Sequence, residues 1–269
     1  MTFAQLQKLH EEKKPGRIHV INATDSQRTV LDAWTKRGWK VDDRKGAFAE
    51  NLPSVMESAI AGDVLFCGDA THAHTALDVA RWLTGNTKNS ADTLILLSAL
   101  ELAAYPKLLW IGYSPLADYR SLPVAAKSIQ AMINTLSRLG ESALRVALLS
   151  CVELVSPGIA STVWQAPLAQ MSARGQFGKA CVDGPLGLDL AVSPEAVADK
   201  KVKTEIAGQA DLVIPPDLNT YTSMLSALVL TGNLRAAQVL LGAPISIAFA
   251  PGANPDNIER SLEVAGLLS

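Results

Sequence analysis

The chain has 269 residues, 48% of them hydrophobic and 19% charged, enough for one large α/β unit or two smaller ones with an ample core. A net charge of −2 gives no footing for nucleic acid or an anionic membrane surface, and the balanced composition excludes a disordered chain. Three cysteines (Cys67, Cys151 and Cys181) are odd in number and sit in apolar or strand-like stretches, so they read as reduced, buried thiols of a cytoplasmic protein.

From the start of the chain, Met1 to Lys14 sets Phe3, Leu6 and Leu9 on one helical face. It lacks the apolar h-region of a signal peptide. Arg17 to Asn22 is the first strand, and Ser26 to Gly38 a helix with Val30, Leu31 and Trp34 on its apolar side. Gly62 to Cys67 is a second strand, followed by a helix from His74 to Leu83. Leu94 to Leu100 is the longest apolar run and far too short to span a bilayer. Leu108 to Gly112 reads as another strand.

The clearest helix runs from Val124 to Leu139, with Ile129, Met132, Ile133 and Leu136 at three- and four-residue steps and Gly140 as its stop. Arg145 to Cys151 is then a buried strand. Val163 to Arg174 is a helix that tolerates Pro167 only in a first turn. Ala180 to Val182, Ala210 to Ile214 and Ile245 to Ala250 are strands, and Asn219 to Leu230 and Pro255 to Leu267 are helices. The alternation predicts βαβ units, a largely parallel sheet and no internal repeat.

Chemistry has four candidate places. After Pro215-Pro216, Asn219 or Thr220 can cap a helix whose free N–H groups suit phosphate, although a plain cap is the ordinary reading. Asn254, Pro255 and Asp256 form a second well-built helix start. In CGDATHAHT (67–75), two histidines and Asp69 fall short of a metal's ligand set, so no metal is expected there and a polar helix entry is the simpler role. Asp183, in a Asp-Gly-Pro turn after a strand, could aim into a cleft; Asp189 reads as a surface carboxylate. There is no G-x-G-x-x-G after the first strand, no phosphate-binding G-x-x-x-x-G-K-[ST], no G-x-S-x-G elbow and no H-E-x-x-H.

The order DGP (183–185), Asp189, Ser193-Pro194-Glu195, the strand 210–214 and Pro215-Pro216 resembles the second domain of the phosphate acetyl/butyryl transferases. ALRVALLSCVEL (143–154), PGIASTVWQAPLAQMSARGQ (157–176) and the tail from LLGAPISIAF (240–249) onward extend the likeness over roughly 143–269. The resemblance implies a two-domain α/β fold like that of isocitrate and isopropylmalate dehydrogenases, with a cleft between the domains. Residues 1–142 and 247–269 would form one domain, with the last helix returning to it, and 143–246 the other. It further implies a homodimer that moves a short acyl group between coenzyme A and phosphate. Acyl-CoA and phosphate would be its partners and coenzyme A a substrate, with no bound cofactor, metal, nucleic acid or membrane.

By the same resemblance, Asp256 and Asn257 lie near the thiol, Asn219, Thr220 and Asn254 near phosphate, and His74 and Thr75 on the facing wall. Asp183 joins the substrate-binding set. The chain departs from the family at three points: Tyr221-Thr222 replaces Gly-Asn, Leu225-Ser226 replaces Tyr-Lys, and Ala250-Pro251 replaces Ser-Arg. The phosphate-binding arginine and a lysine are thereby lost. This favours weak activity, a non-catalytic binding or assembly homologue, or a relative with another nucleophile, depending on whether another cation enters the cleft.

Overall fold

The computed structural model describes residues 1–46, 48–68, 73–87, 93–232, 234–252 and 254–269. Helix α1 (Phe3–Glu11) leads into β1 (Arg17–Ile21), α2 (Asp25–Lys36), β2 (Lys40–Arg44), α3 (Phe48–Ser58), β3 (Val64–Cys67) and α4 (Ala73–Asn86). The middle of the chain is β4 (Ile95–Glu101), β5 (Leu109–Tyr113), α5 (Leu122–Ser137), β6 (Arg145–Leu149), α6 (Ala160–Ala173) and β7 (Cys181–Leu186). The short helices α7 (Leu188–Val192) and α8 (Pro194–Lys200) precede β8 (Leu212–Ile214), α9 (Leu218–Gly232), β9 (Arg235–Leu241), β10 (Ser246–Phe249) and α10 (Pro255–Leu268).

Among the described residues, ten strands join one sheet in the order β2-β1-β3-β10-β9-β4-β5-β8-β6-β7. The outer quartets β2-β1-β3-β10 and β5-β8-β6-β7 are each parallel, whereas β10-β9, β9-β4 and β4-β5 are antiparallel. Strands such as β3 and β10 are buried at every position because helices cover the sheet, so they read as apolar runs rather than alternations.

Exchanging each strand n with n+5 reverses the strand order and leaves the sheet unchanged. The chain therefore contains a topological repeat, β1–β5 and β6–β10, that has no counterpart in the sequence. Each half places its last hairpin against the other half: β9–β10 beside β3, and β4–β5 beside β8. The sheet is continuous across residues 140–143. Its internal symmetry groups β4 and β5 with β8, while β10 returns to the N-terminal strands.

Most expected elements form within a residue or two of their predicted ends, and Gly140 closes α5 at φ 98°. The strands β2, β4 and β9 and the helix α3 had no reading in the sequence pattern. Pro167 lies well inside α6 rather than in its first turn. The carbonyl that its missing N–H leaves free belongs to Val163, in the exposed first turn where water can serve it. The Asp-Gly-Pro segment is not a turn but part of β7, an edge strand, where a proline costs little pairing. Cys67 is buried and Cys181 half-buried, but Cys151 is exposed in the loop after β6. No helix of the described residues is long and apolar enough to cross a membrane.

Candidate functional site

Pro215 and Pro216 end β8, and Asp217 opens α9. Its carboxylate Oδ1 accepts the Thr220 N–H at 2.7 Å, and its carbonyl accepts the Tyr221 N–H at 3.1 Å. Asp217 is thus the cap, not Asn219 or Thr220. Its negative charge also offsets the positive helix end that the sequence offered to phosphate. Asn219 is exposed and Thr220 half-buried in the first turn.

Asn219, Thr222 and Ser226 recur at three- and four-residue steps and so share one face of α9. Further along, Thr222, Leu225, Ser226, Val229 and Leu230 meet Pro251 and Gly252 of the turn after β10, over Gln238 of β9. They line a small cavity of about 30 Å³. Ser226 and Pro251, two of the family departures, therefore line one space, and no arginine or lysine among the described residues lines it with them. Tyr221 points away from this face and is fully buried. Its hydroxyl lies 2.6 Å from Ser98 Oγ and accepts from Gln238 Nε2 at 3.2 Å. Burial pushes that hydroxyl up to about 12, so it serves as a neutral hydrogen-bonding post.

Across the turn, Asn254 caps α10 as expected, its Oδ1 accepting the Asp256 N–H at 3.0 Å. Asp256 stands 3.5 Å from Arg260 Nη2 and 3.8 Å from Arg235 Nε. Arg235 also pairs with Glu101 at 2.9 Å and stays half exposed. Asn257, expected beside a thiol, has its side chain tied to the fold. It is buried, its Nδ2 donates to the Pro251 carbonyl at 2.7 Å, and its Oδ1 accepts the Ala236 N–H at 2.8 Å. Both ends of the amide are engaged, so Asn257 positions the turn against β9.

His74 and Thr75 lie in the first turn of α4, but their side chains, like Asp69 and His72 entirely, fall outside the described residues. β3 and β10 are parallel neighbours, so the starts of α4 and α10 share one edge of the sheet. Asp183 does not join them. Its Oδ1 accepts the Gly184 N–H at 2.8 Å and its Oδ2 accepts the Thr204 hydroxyl at 2.5 Å. β7 is six strands from β10, roughly 29 Å at about 4.8 Å per strand. Asp189 is a surface carboxylate paired with Lys200 at 2.9 Å, which holds it below its usual range. Gln238 and the apolar wall of Val229 and Leu230 escaped the sequence reading; the one available signal was a polar glutamine inside the apolar run Ala236 to Leu241.

Arg260 continues inward to Glu263, at 2.6 Å. Burial pushes the Glu263 carboxyl up to about 7 and outweighs the nearby guanidinium. A raised carboxyl pKa favours the protonated folded form. Its contribution is therefore most favourable below the ordinary glutamate range and is lost as pH rises through about 7, by up to about 3 kcal/mol. Glu263→Gln is expected to remove that slope, so the melting temperatures of the two forms diverge progressively between about pH 4.5 and 7. A constant difference across this window would contradict it.

A family model described as "Phosphate acetyl/butaryl transferase" matches residues 63–249. A probable phosphate butyryltransferase of Bacillus subtilis (strain 168) is 32% identical over 173 residues, 64% of this chain and 57% of that protein, so the match spans little over half of the relative's length. The phosphate butyryltransferase of Clostridium acetobutylicum is 26% identical over 272 aligned residues, covering 98% of this chain and 89% of that protein. Among solved structures, a branched-chain phosphotransacylase from Enterococcus faecalis V583 superposes with a TM-score of 0.71 at 18% identity, over 95% of this chain and 99% of that one, which is agreement in fold. With the family model covering well over half its length, the chain belongs to the phosphate acetyl/butyryl transferase family.

Proposed function

We propose that the protein transfers a short acyl group between coenzyme A and phosphate, at the junction of α9, the turn between β10 and α10, and the start of α4. The observation that carries this reading is the meeting of Ser226 on α9 with Pro251, in the turn that runs on into Asn254 and Asp256 at the start of α10. In the direction that forms the thioester, the Asp256 carboxylate takes the thiol proton. The sulfur attacks the acyl-phosphate carbonyl, the new C–S bond replaces the C–O bond, and phosphate leaves. Asn254, Asn219 and Thr220 are assigned to phosphate, and His74 and Thr75 to the facing wall. Coenzyme A enters as a substrate, and no bound cofactor is assigned.

Arg235 is the cation we assign to the leaving phosphate. It is half exposed beside Asp256, whereas Arg260 is mostly buried against Glu263. Thiol release from acetyl-, propionyl- and butyryl-CoA with and without phosphate tests the activity. Arg235→Gln is expected to raise KM for phosphate about tenfold or more, equivalent to about 1.4 kcal/mol, with KM for acyl-CoA little changed. Equal effects on both would remove Arg235 from this role.

The reading includes two lobes about a cleft, residues 1–142 with 247–269 and 143–246, in the manner of the isocitrate and isopropylmalate dehydrogenases. The return of β10 to β3 supports it, and limited proteolysis near 140–143 tests it. It also includes a cytoplasmic homodimer. Leu154 and Val155, 81% and 57% exposed after β6, supply an apolar surface suited to a second copy, and sedimentation measures the state.

A further inference from the structure

We infer that the cavity between α9 and the β10–α10 turn receives the hydrocarbon end of the acyl group, and that Val229 sets the chain length it accepts. The inference rests on the acyl-transfer reading above. Leu225, Val229, Leu230 and Pro251 make the walls, and they are carbon surfaces. The polar groups among them are largely engaged elsewhere: Thr222 Oγ1 donates to the Leu218 carbonyl at 2.9 Å, and Gln238 Nε2 to the Tyr221 hydroxyl at 3.2 Å. An anion placed here would be desolvated with no cation among the lining residues, so phosphate is the wrong occupant.

Size excludes the other charged and aromatic parts of the substrate. The cavity is about 30 Å³, at least twice the volume of about 10–15 Å³ that a single water needs. A nucleotide does not fit, whereas the last one or two carbons of a short acyl chain do. Gly252 marks the narrow side. It sits at φ 71°, which disfavours other residues, and a Cβ there would stand 3.1 Å from Val229 Cγ1. At Gly252 the turn and the helix are thus closer than an added methyl group would allow, with Val229 as the wall on the far side. Leu230 is 76% exposed at the end of the same helix and borders the cavity, apolar surface that the core does not use.

The test is a chain-length series of acetyl-, butyryl- and hexanoyl-CoA, reading kcat/KM with phosphate, and Kd by calorimetry where turnover is slow. Relative to the unmodified protein, Val229→Ala is expected to move the hexanoyl-to-acetyl ratio up about tenfold, the usual worth of a methylene in an apolar pocket. Val229→Phe should move it down by a similar factor. Leu230→Ser, on an exposed position that leaves the core intact, should lower the ratio severalfold. Unchanged ratios in all three variants, with coenzyme A esters still bound, would overturn the pocket assignment alone. No binding of coenzyme A or any of its esters by the unmodified protein would instead overturn the acyl-transfer reading, and the pocket assignment with it.

Discussion

Placing Ser at 250 and Arg at 251 is expected to raise phosphate-dependent turnover about a hundredfold over the unmodified protein. The oxygens of the leaving phosphate need fixed positive charge, and a single missing donor at such a site commonly costs about 2.7–4 kcal/mol of transition-state stabilisation. Ala250 and Pro251 supply no charge, and Pro251 withholds its backbone donor as well. Pro251 is buried, so the new guanidinium must reach the cavity mouth along its own methylene stem. Ser226→Lys is the milder companion, because position 226 is half exposed and borders the same cavity. Either change should lower KM for phosphate, and because both positions also line the proposed acyl cavity, binding of the longer acyl-CoA esters should weaken. The unmodified protein is correspondingly expected to run well below the roughly 10 per second of a typical enzyme. If it already reaches that rate, Arg235 or another cation fully replaces the missing pair.

Asn257→Leu is expected to destabilise the fold by about 4 kcal/mol and to lower the melting temperature by on the order of 10 °C. The amide is 1% exposed and bridges the Pro251 carbonyl to the Ala236 N–H. Leucine has a similar volume but leaves both backbone groups buried without partners, at about 1–3 kcal/mol each. Asn257→Asp keeps the acceptor for Ala236 but sets a buried carboxylate against the Pro251 carbonyl, so its loss should be comparable at neutral pH and shrink as the pH falls and the carboxyl is protonated. Thermal melts of the three proteins rank them, and equal melting temperatures would show that Asn257 does not hold the turn. Because Pro251 also lines the proposed acyl cavity, the Leu variant should blunt the chain-length preference even at temperatures where it is folded.

The α/β class, most helices and the cap at Asn254 were legible along the chain, because caps and apolar periodicity act within a few residues. So was the site's chemical peculiarity, since Ser226 and Ala250-Pro251 are plain substitutions in recognisable motifs. Other features depended on partners brought in from elsewhere. β4 and β9 pair antiparallel at the centre of the sheet and are apolar almost throughout, so they lack the alternation that marks a half-buried strand. Pro167 is accepted inside α6 because the unpaired carbonyl faces the exposed helix start. Asn257 stands in the family-like motif beside Asp256, and only the fold placed Pro251 and Ala236 on either side of it. The exchange of hairpins between β1–β5 and β6–β10, and the meeting of residue 226 with residue 251, are set by long-range strand pairing. Local sequence determined which segments are helix or strand and which charges are absent; only the packed sheet decided which of those positions face one another.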